Sequence, residues 1–448
     1  MTRITKYVFV FGLLLTIAAC SDEQEQTSDM IDAQLEQLLE EHSNGEGLAF
    51  FTQPDATDFD RIPQDPNNPL TTDKVKLGQF LFHETALAQS PKHSMDVGKY
   101  SCASCHHAAA GFQAGVPQGI AEGGFGFGMD GRSRVKRGNF PEEFMDVQPL
   151  KSPSILNIAY QECILWNGQF GATGVNEGTQ AYWDEEKPTG ANHLGYEGVE
   201  TQAIAGLKVH GLELSAQMVN LYPEYLTLYN SVFPEIAVTE RYSRISAGLA
   251  IAAYERTVLP NQAPFQKWLK GDADAMTTSE KLGALLFFGK GNCVSCHSGP
   301  GLNNMSFHAL GLGDLSGSRV HKEDSSDAGH LGRGGFTKVD AEMHQFKVPQ
   351  LYNLSDSPFY GHGSTITSLR EMVQYKNKAV SEKAIPAGQL DPEFIPLNLT
   401  AEEVEQLTIF LERSLNDQEL DRYVPESLPS NYCFPNNDSQ SRIDLGCE

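Results

Sequence analysis

The pentapeptide Cys-x-x-Cys-His occurs twice in this chain, as Cys102-Ala103-Ser104-Cys105-His106 and as Cys293-Val294-Ser295-Cys296-His297, and no other feature restricts the fold so sharply. Each copy is approached through a similar run. Leu77-Gly78-Gln79-Phe80-Leu81-Phe82 leads through an inserted loop into the first, and Leu282-Gly283-Ala284-Leu285-Leu286-Phe287-Phe288 leads directly into the second. Both runs space their apolar residues as one face of a helix does, and both follow a charged stretch, Thr71 to Lys76 or Thr277 to Lys281. Thr277 or Thr278, followed by Glu280, predicts a helix N-terminus. Two such units predict two similar domains.

The motif has a specific chemistry. Two thiols this close can add to the two vinyl groups of one porphyrin, and the adjacent imidazole then reaches the iron. The expectation is two covalently bound haem c groups, one on Cys102 and Cys105 with His106 as iron ligand, the other on Cys293 and Cys296 with His297. A four-thiolate zinc site competes for the same residues. Against it stand the distance between the pairs, the His after each, and an export signal; the duplicated His also argues against a redox dithiol. His107 reads as a surface or supporting residue.

The export signal is the N-terminus. Arg3 and Lys6 precede a nearly continuous apolar run from Tyr7 to Ile17, of signal-peptide length and too short to span a bilayer comfortably. It ends in Ile17-Ala18-Ala19-Cys20, which resembles the lipobox of bacterial lipoproteins; an ordinary cleaved signal is the plainer alternative. The expected division is a signal peptide over 1–19, then a lipid-anchored tether and short helix over 20–45. The protein would then sit in the periplasm, bound to the membrane through lipid on Cys20. Export accounts for the remaining cysteines: Cys433 and Cys447 suit a terminal disulfide, and Cys163 is left as a buried thiol. A hydrophobic share of 40% is ordinary for a globular chain, while a net charge of −25 excludes nucleic acid as a partner. The acidic surface serves solubility, or steers a basic electron donor.

Helical periodicity also marks Asp29 to Glu41, Ile236 to Thr257 (Ile245, Leu249, Ala252 and Ala253 on one face, Pro260 and Pro264 beyond) and Glu402 to Leu415. The stripe of the last is Val404, Leu407, Leu411 and Leu415. Gly111 to Gly131 and Gly311 to Gly335 are glycine-rich. Phe125-Gly126-Phe127-Gly128 reads as a loop folded over a cofactor, since no strand precedes it. The fold class is mainly α with long irregular loops. The first haem domain is assigned to 46–265 and the second, with a terminal tail, to 266–448.

Further segments resemble the bacterial di-haem cytochrome c peroxidase family, which includes the MauG-type enzymes. They are Ser152-Pro153-Ser154-Ile155-Leu156-Asn157, Leu165-Trp166-Asn167-Gly168, Lys290-Gly291-Asn292, Gly299-Pro300, Phe346-Lys347-Val348-Pro349-Gln350-Leu351-Tyr352-Asn353 and Ser357-Pro358-Phe359-Tyr360. The resemblance runs from Thr72 to Leu415. It implies two cytochrome c-like domains, each with one covalently bound haem c. It also implies reduction of hydrogen peroxide at the N-terminal haem, with electrons relayed by the C-terminal one from a small redox protein, a cytochrome c or cupredoxin. Trp166 falls where the family has a Trp between the haems, although a core Trp would read the same way. Gln202 and Glu213, with one residue inserted, fall at the family's distal Gln and Glu; Gln202 would hold peroxide and Glu213 would ferry its proton, with His210 as a rival distal group.

Three departures from the family matter. No His lies between Ala108 and Lys151, where many members carry a removable distal His, so the N-terminal haem is expected to be open as made. The sixth ligand of the C-terminal haem falls at Lys376, with Tyr375 and Met372 as alternatives. Calcium is doubtful because Lys151 replaces an Asn ligand; a Lys151–Asp356 salt bridge is expected instead. MauG-like oxidation of a partner protein, and a non-catalytic di-haem electron-transfer lipoprotein, are the competing readings.

Overall fold

The computed structural model describes residues 29–386 and 388–447; the expected signal peptide, the lipidated Cys20 and the tether up to residue 28 lie outside the described residues. Helix α1 spans 29–41, α2 Thr72–His83, α3 Gly198–Val209, α4 Arg244–Arg256, α5 Thr278–Phe288, α6 Leu369–Lys378 and α7 Ala401–Ile409. Sheet among the described residues is confined to two antiparallel two-stranded ladders. Gly124–Phe125 (β1) pairs with Val135–Lys136 (β2). Phe307–His308 (β3) pairs with Phe346–Lys347 (β4), Phe307 opposite Lys347. The mainly helical expectation holds.

Hydroxyl caps start the repeated helices. The Thr71 side chain accepts from Lys74 N at α2, and Thr277 and Glu280 form a reciprocal capping box at α5, which chooses Thr277 over Thr278. Each then crosses the last long helix of its half at the glycine of its repeated Leu-Gly pair. A Cβ on Gly78 would stand 1.9 Å from the Ala250 carbonyl oxygen on α4, and one on Gly283 would stand 2.2 Å from that of Gln406 on α7. The backbones touch there, and only a residue without a side chain permits it.

Two hydrophobic cores result. The first gathers Leu77 and Leu81 of α2, Ile204 of α3 and Tyr254 of α4. The second gathers Phe265, Phe287, Phe288, Leu407 and Phe410. The chain ends cross between them. Leu35 and Leu39 of α1 belong to the second core, where Trp268 Nε1 and Lys281 Nζ donate to Asp32 at 2.9 and 2.7 Å. Leu420, Tyr423 and Leu428 return to the first.

Some expectations need correction. The stretch from Ile236 is broken: Val238–Arg241 is a separate turn, and a Ser243–Ser246 capping box starts α4 afresh. Ile245 is exposed, whereas Leu249, Ala252 and Ala253 are buried. Beyond α7 the chain passes into one π-helical turn, Phe410–Ser414, with Leu411 and Leu415 still buried. Phe125–Gly128 is not wrapped over the central cavity. It anchors the tail, whose Cys433 and Cys447 form the expected disulfide: Gly126 N donates to Asp438 and the Phe127 and Gly128 N–H groups to Asp444. His107 is not at the surface but packed edge-on to Phe127. Cys163 is buried, as expected. Among the described residues no helix is long and apolar enough to cross a membrane.

Candidate functional site

One cavity of about 1090 Å³ runs between the two cores, walled by Cys102, Cys105 and His106 at one end and by Cys293, Cys296 and His297 at the other. It exceeds the ~300–1,000 Å³ of a single-ligand pocket. The two ends are built alike. His106 Nδ1 lies 3.4 Å from the Phe112 carbonyl oxygen and His297 Nδ1 3.0 Å from that of Leu302. Both acceptors sit in left-handed backbone, at φ 53° and 47°. An imidazole that gives Nδ1–H to the backbone keeps its Nε2 lone pair for a metal. Burial drives both His106 and His297 down to about 4, so both rings are neutral.

The thiols match this pattern. None of the four is bridged. Burial pushes Cys105 and Cys293 up to about 12 and Cys102 higher still, while a hydrogen bond from His308 draws Cys296 down. Two thiols and a neutral imidazole at each end of an apolar cavity suit haem c.

The duplication extends beyond the Cys motifs. Pro153 to Asn157 matches Pro349 to Asn353, each Asn in left-handed backbone at φ 59° and 54°. An isolated bridge then joins Ile164 to Phe170 in one half and Tyr360 to Ile366 in the other. Trp166 and His362 are therefore equivalent, each thirteen positions after its proline, and they meet edge to face with centroids 6.3 Å apart. His362 stacks on Phe346 at 3.6 Å. Trp166 is half-buried, lines the cavity, and donates Nε1–H to the Lys151 carbonyl oxygen at 2.8 Å. It is no core Trp.

Of the distal candidates, Gln202 on α3 lines the cavity and Glu213 does not. After α3 ends at Val209, Gly211 takes φ 61° and the chain turns. Leu212 goes inward and Glu213 faces solvent, accepting from Ser90 Oγ at 2.5 Å. His210 stays in the cavity wall, its Nδ1 2.6 Å from Asp146 Oδ2. Burial alone would lower His210, but the Asp146 carboxylate outweighs it and raises the imidazole above its ordinary value. Sequence reasoning passed over Asp146 and Glu255. Glu255 lines the same wall at 5% exposure, its Oε2 without a partner among the described residues, and burial raises it to about 8. A lone carboxyl in the run Ile251-Ala252-Ala253-Tyr254-Glu255 was the available signal.

At the second end, the three ligand candidates on α6 separate. Tyr375 gives its hydroxyl to the Leu310 carbonyl oxygen at 2.5 Å and is not in the cavity wall. Met372 reaches the wall but packs against the second core. Lys376 lines the cavity with no hydrogen-bond or ion-pair partner among the described residues. Burial lowers its pKa, and its charge acts on His297. The expected Lys151–Asp356 bridge is absent: Lys151 Nζ donates to Gln113 Oε1, and Asp356 accepts from Asn353 and Asn416. Lys151 is drawn into the cavity wall, away from Asp356.

Two matched Cys-x-x-Cys-His ends facing one apolar cavity make a site that fits two covalently bound haems. Residues 72–274 match the family model described as di-haem cytochrome c peroxidase. Relatives that span most of the chain carry names of the same kind. Methylamine utilization protein MauG of Methylorubrum extorquens is 27% identical over 411 residues, covering 90% of this chain and 91% of its own. Cytochrome-c peroxidase IdrP1 of Pseudomonas sp. (strain SCT) is 27% identical, covering 83% and 88%. A solved MauG-like protein associated with microbial copper homeostasis shares the fold with a TM-score of 0.56, at 21% identity over 81% of this chain and 95% of that one.

Proposed function

We propose that the chain is a di-haem peroxidase that reduces hydrogen peroxide to water at a haem held by Cys102, Cys105 and His106. Electrons reach it past Trp166 from a second haem held by Cys293, Cys296 and His297. The haems, bound by thioether links, would supply redox-active iron and one-electron storage.

The observation that carries this reading is the asymmetry of the cavity wall. Near His297 the wall offers the unpartnered Lys376 amine, which burial favours as a neutral donor and hence as sixth ligand. Near His106 it offers Gln202 and a His210 whose imidazole Asp146 biases towards the protonated form. A protonated imidazole has no lone pair to close an iron site, but it has a proton to give. Gln202 would orient peroxide, His210 would donate to the departing oxygen, and Asp146 would hold the ring in place. Glu213 has no part in this scheme. Splitting peroxide consumes two electrons and two protons and yields two waters.

The electron donor would be a small redox protein, a cytochrome c or cupredoxin, drawn by the acidic surface. The setting would be the periplasm, with the lipid on Cys20 as membrane anchor. Similarity to MauG along nine-tenths of the chain supports a second reading, peroxide-dependent oxidation of a partner protein. That reading requires peroxide to be consumed in the presence of the partner with no other reductant.

Electron paramagnetic resonance of the oxidised protein tests the scheme. A high-spin ferric signal beside a low-spin one is expected, together with a Soret change on adding peroxide. Two low-spin signals and an inert Soret band would leave simple electron conduction.

A further inference from the structure

Among the described residues five lysines line the cavity, and they differ in what neutralises them. Lys290 is paired with Glu403 at 2.7 Å and Lys383 with Asp314. Lys376 stands by His297. Lys151 and Lys347 remain, buried at 5% and 6% exposure and without a carboxylate. Each ammonium donates to a single amide oxygen, Gln113 Oε1 for Lys151 and Gln161 Oε1 for Lys347. An ammonium has three donors, so each keeps two without a protein acceptor.

A buried cation lacking a counter-charge is costly. Burial draws Lys151 down to about 7 and Lys347 to about 8. The two also share a neighbour: Trp166 Nε1 donates to the Lys151 carbonyl, and Lys347 N donates to the Trp166 carbonyl at 2.7 Å. An anion supplied by what fills the cavity would offset that cost and favour the charged amines. Haem carries two propionate carboxylates on one edge, and N⁺–H···O⁻ bonds to a carboxylate are the strong class of hydrogen bond.

We propose that Lys151, with Lys347 beside it, forms a built-in cationic seat for haem propionate at the junction of the two halves. This rests on the di-haem reading above. Charge complementarity fixes the propionate edge against the backbone that carries Trp166. A cation held there also disfavours the ferric state and raises the reduction potential of the haem that it serves.

The test uses the full-length holoprotein and its Lys151→Met, Lys151→Arg and Lys347→Met variants. Methionine removes the charge while filling a similar volume, which buried sites tolerate. Spectroelectrochemical titration reads both midpoints, and resonance Raman reads the propionate bending bands. Lys151→Met should lower at least one midpoint enough to change the ferrous-to-ferric ratio about tenfold, about 59 mV for a one-electron couple. The propionate bands should shift with it, Lys347→Met should act in the same direction, and Lys151→Arg should stay near the parent protein. A two-haem protein whose midpoints and bands match in all four forms overturns the proposal alone. A protein that carries no haem overturns the di-haem reading with it.

Discussion

The two halves share a scaffold and differ in what they hang on it. Both cross a glycine-bearing helix against a partner backbone, at Gly78 and Gly283. Both orient an imidazole through a carbonyl in left-handed backbone. Both carry the Pro-to-Asn segment that leads to Trp166 or His362. Apart from the Trp166/His362 exchange, the differences in the cavity wall lie outside the repeated segments. The first half places Gln202, the His210–Asp146 pair and Glu255 in the cavity wall, where protons can be held and moved. The second presents Lys376 from α6, beside His297 and without an ion-pair partner among the described residues. The matched segments make two similar ends, and the unmatched segments give their walls different chemistry.

The comparison breaks first at His210. His210→Gln should lower kcat for peroxide by ~10²-fold or more, as for loss of a general acid, while the spectrum of the second haem stays as it was. Lys376→Ala should act on the other half alone: the low-spin signal is replaced by a second high-spin one, read by paramagnetic resonance. Gly78→Ala and Gly283→Ala should each cost about 1–3 kcal/mol in chemical unfolding, the usual range for forcing volume into a packed contact. Similar losses would show that the crossings are equivalent. The pH profile sharpens the assignment of the proton donor. Because Asp146 raises His210, activity that needs the charged ring should persist to higher pH than an ordinary imidazole allows and fall as pH climbs past the raised value. Asp146→Asn should bring that fall to lower pH, because the carboxylate that favours the charged ring is gone. Glu213→Gln should change turnover by less than about twofold, as an exposed substitution does.

Much of this was legible in the residues. The Cys-x-x-Cys-His pairs, the Thr277–Glu280 box and the Leu407–Leu411 stripe are local patterns, and local patterns fix local structure. Spacing could not show an intervening turn. Glu213 was placed by resemblance to the family's distal Glu; the left-handed Gly211 turns the chain and leaves His210 in the cavity wall and Glu213 at the surface. The helix expected from Ile236 broke because Ser243 caps more strongly than the apolar face propagates. Lys151 was given Asp356 as partner because both fall where the family holds calcium; an amide oxygen and an apolar cavity wall decided otherwise. The kinship of Trp166 and His362 was written in matched proline spacings and is easily overlooked, because Trp and His share no chemistry.

The crossed chain ends bear on how the molecule matures. Asp32 finds Trp268 and Lys281 at separations of 236 and 249 residues, and Gly126 finds Asp438 at 312. Loops this long close slowly. Neither lobe is sealed by its own stretch of polypeptide: the leading helix waits for the late lobe, and the early lobe waits for the trailing hook. The interior thus stays accessible until both ends of the chain have docked.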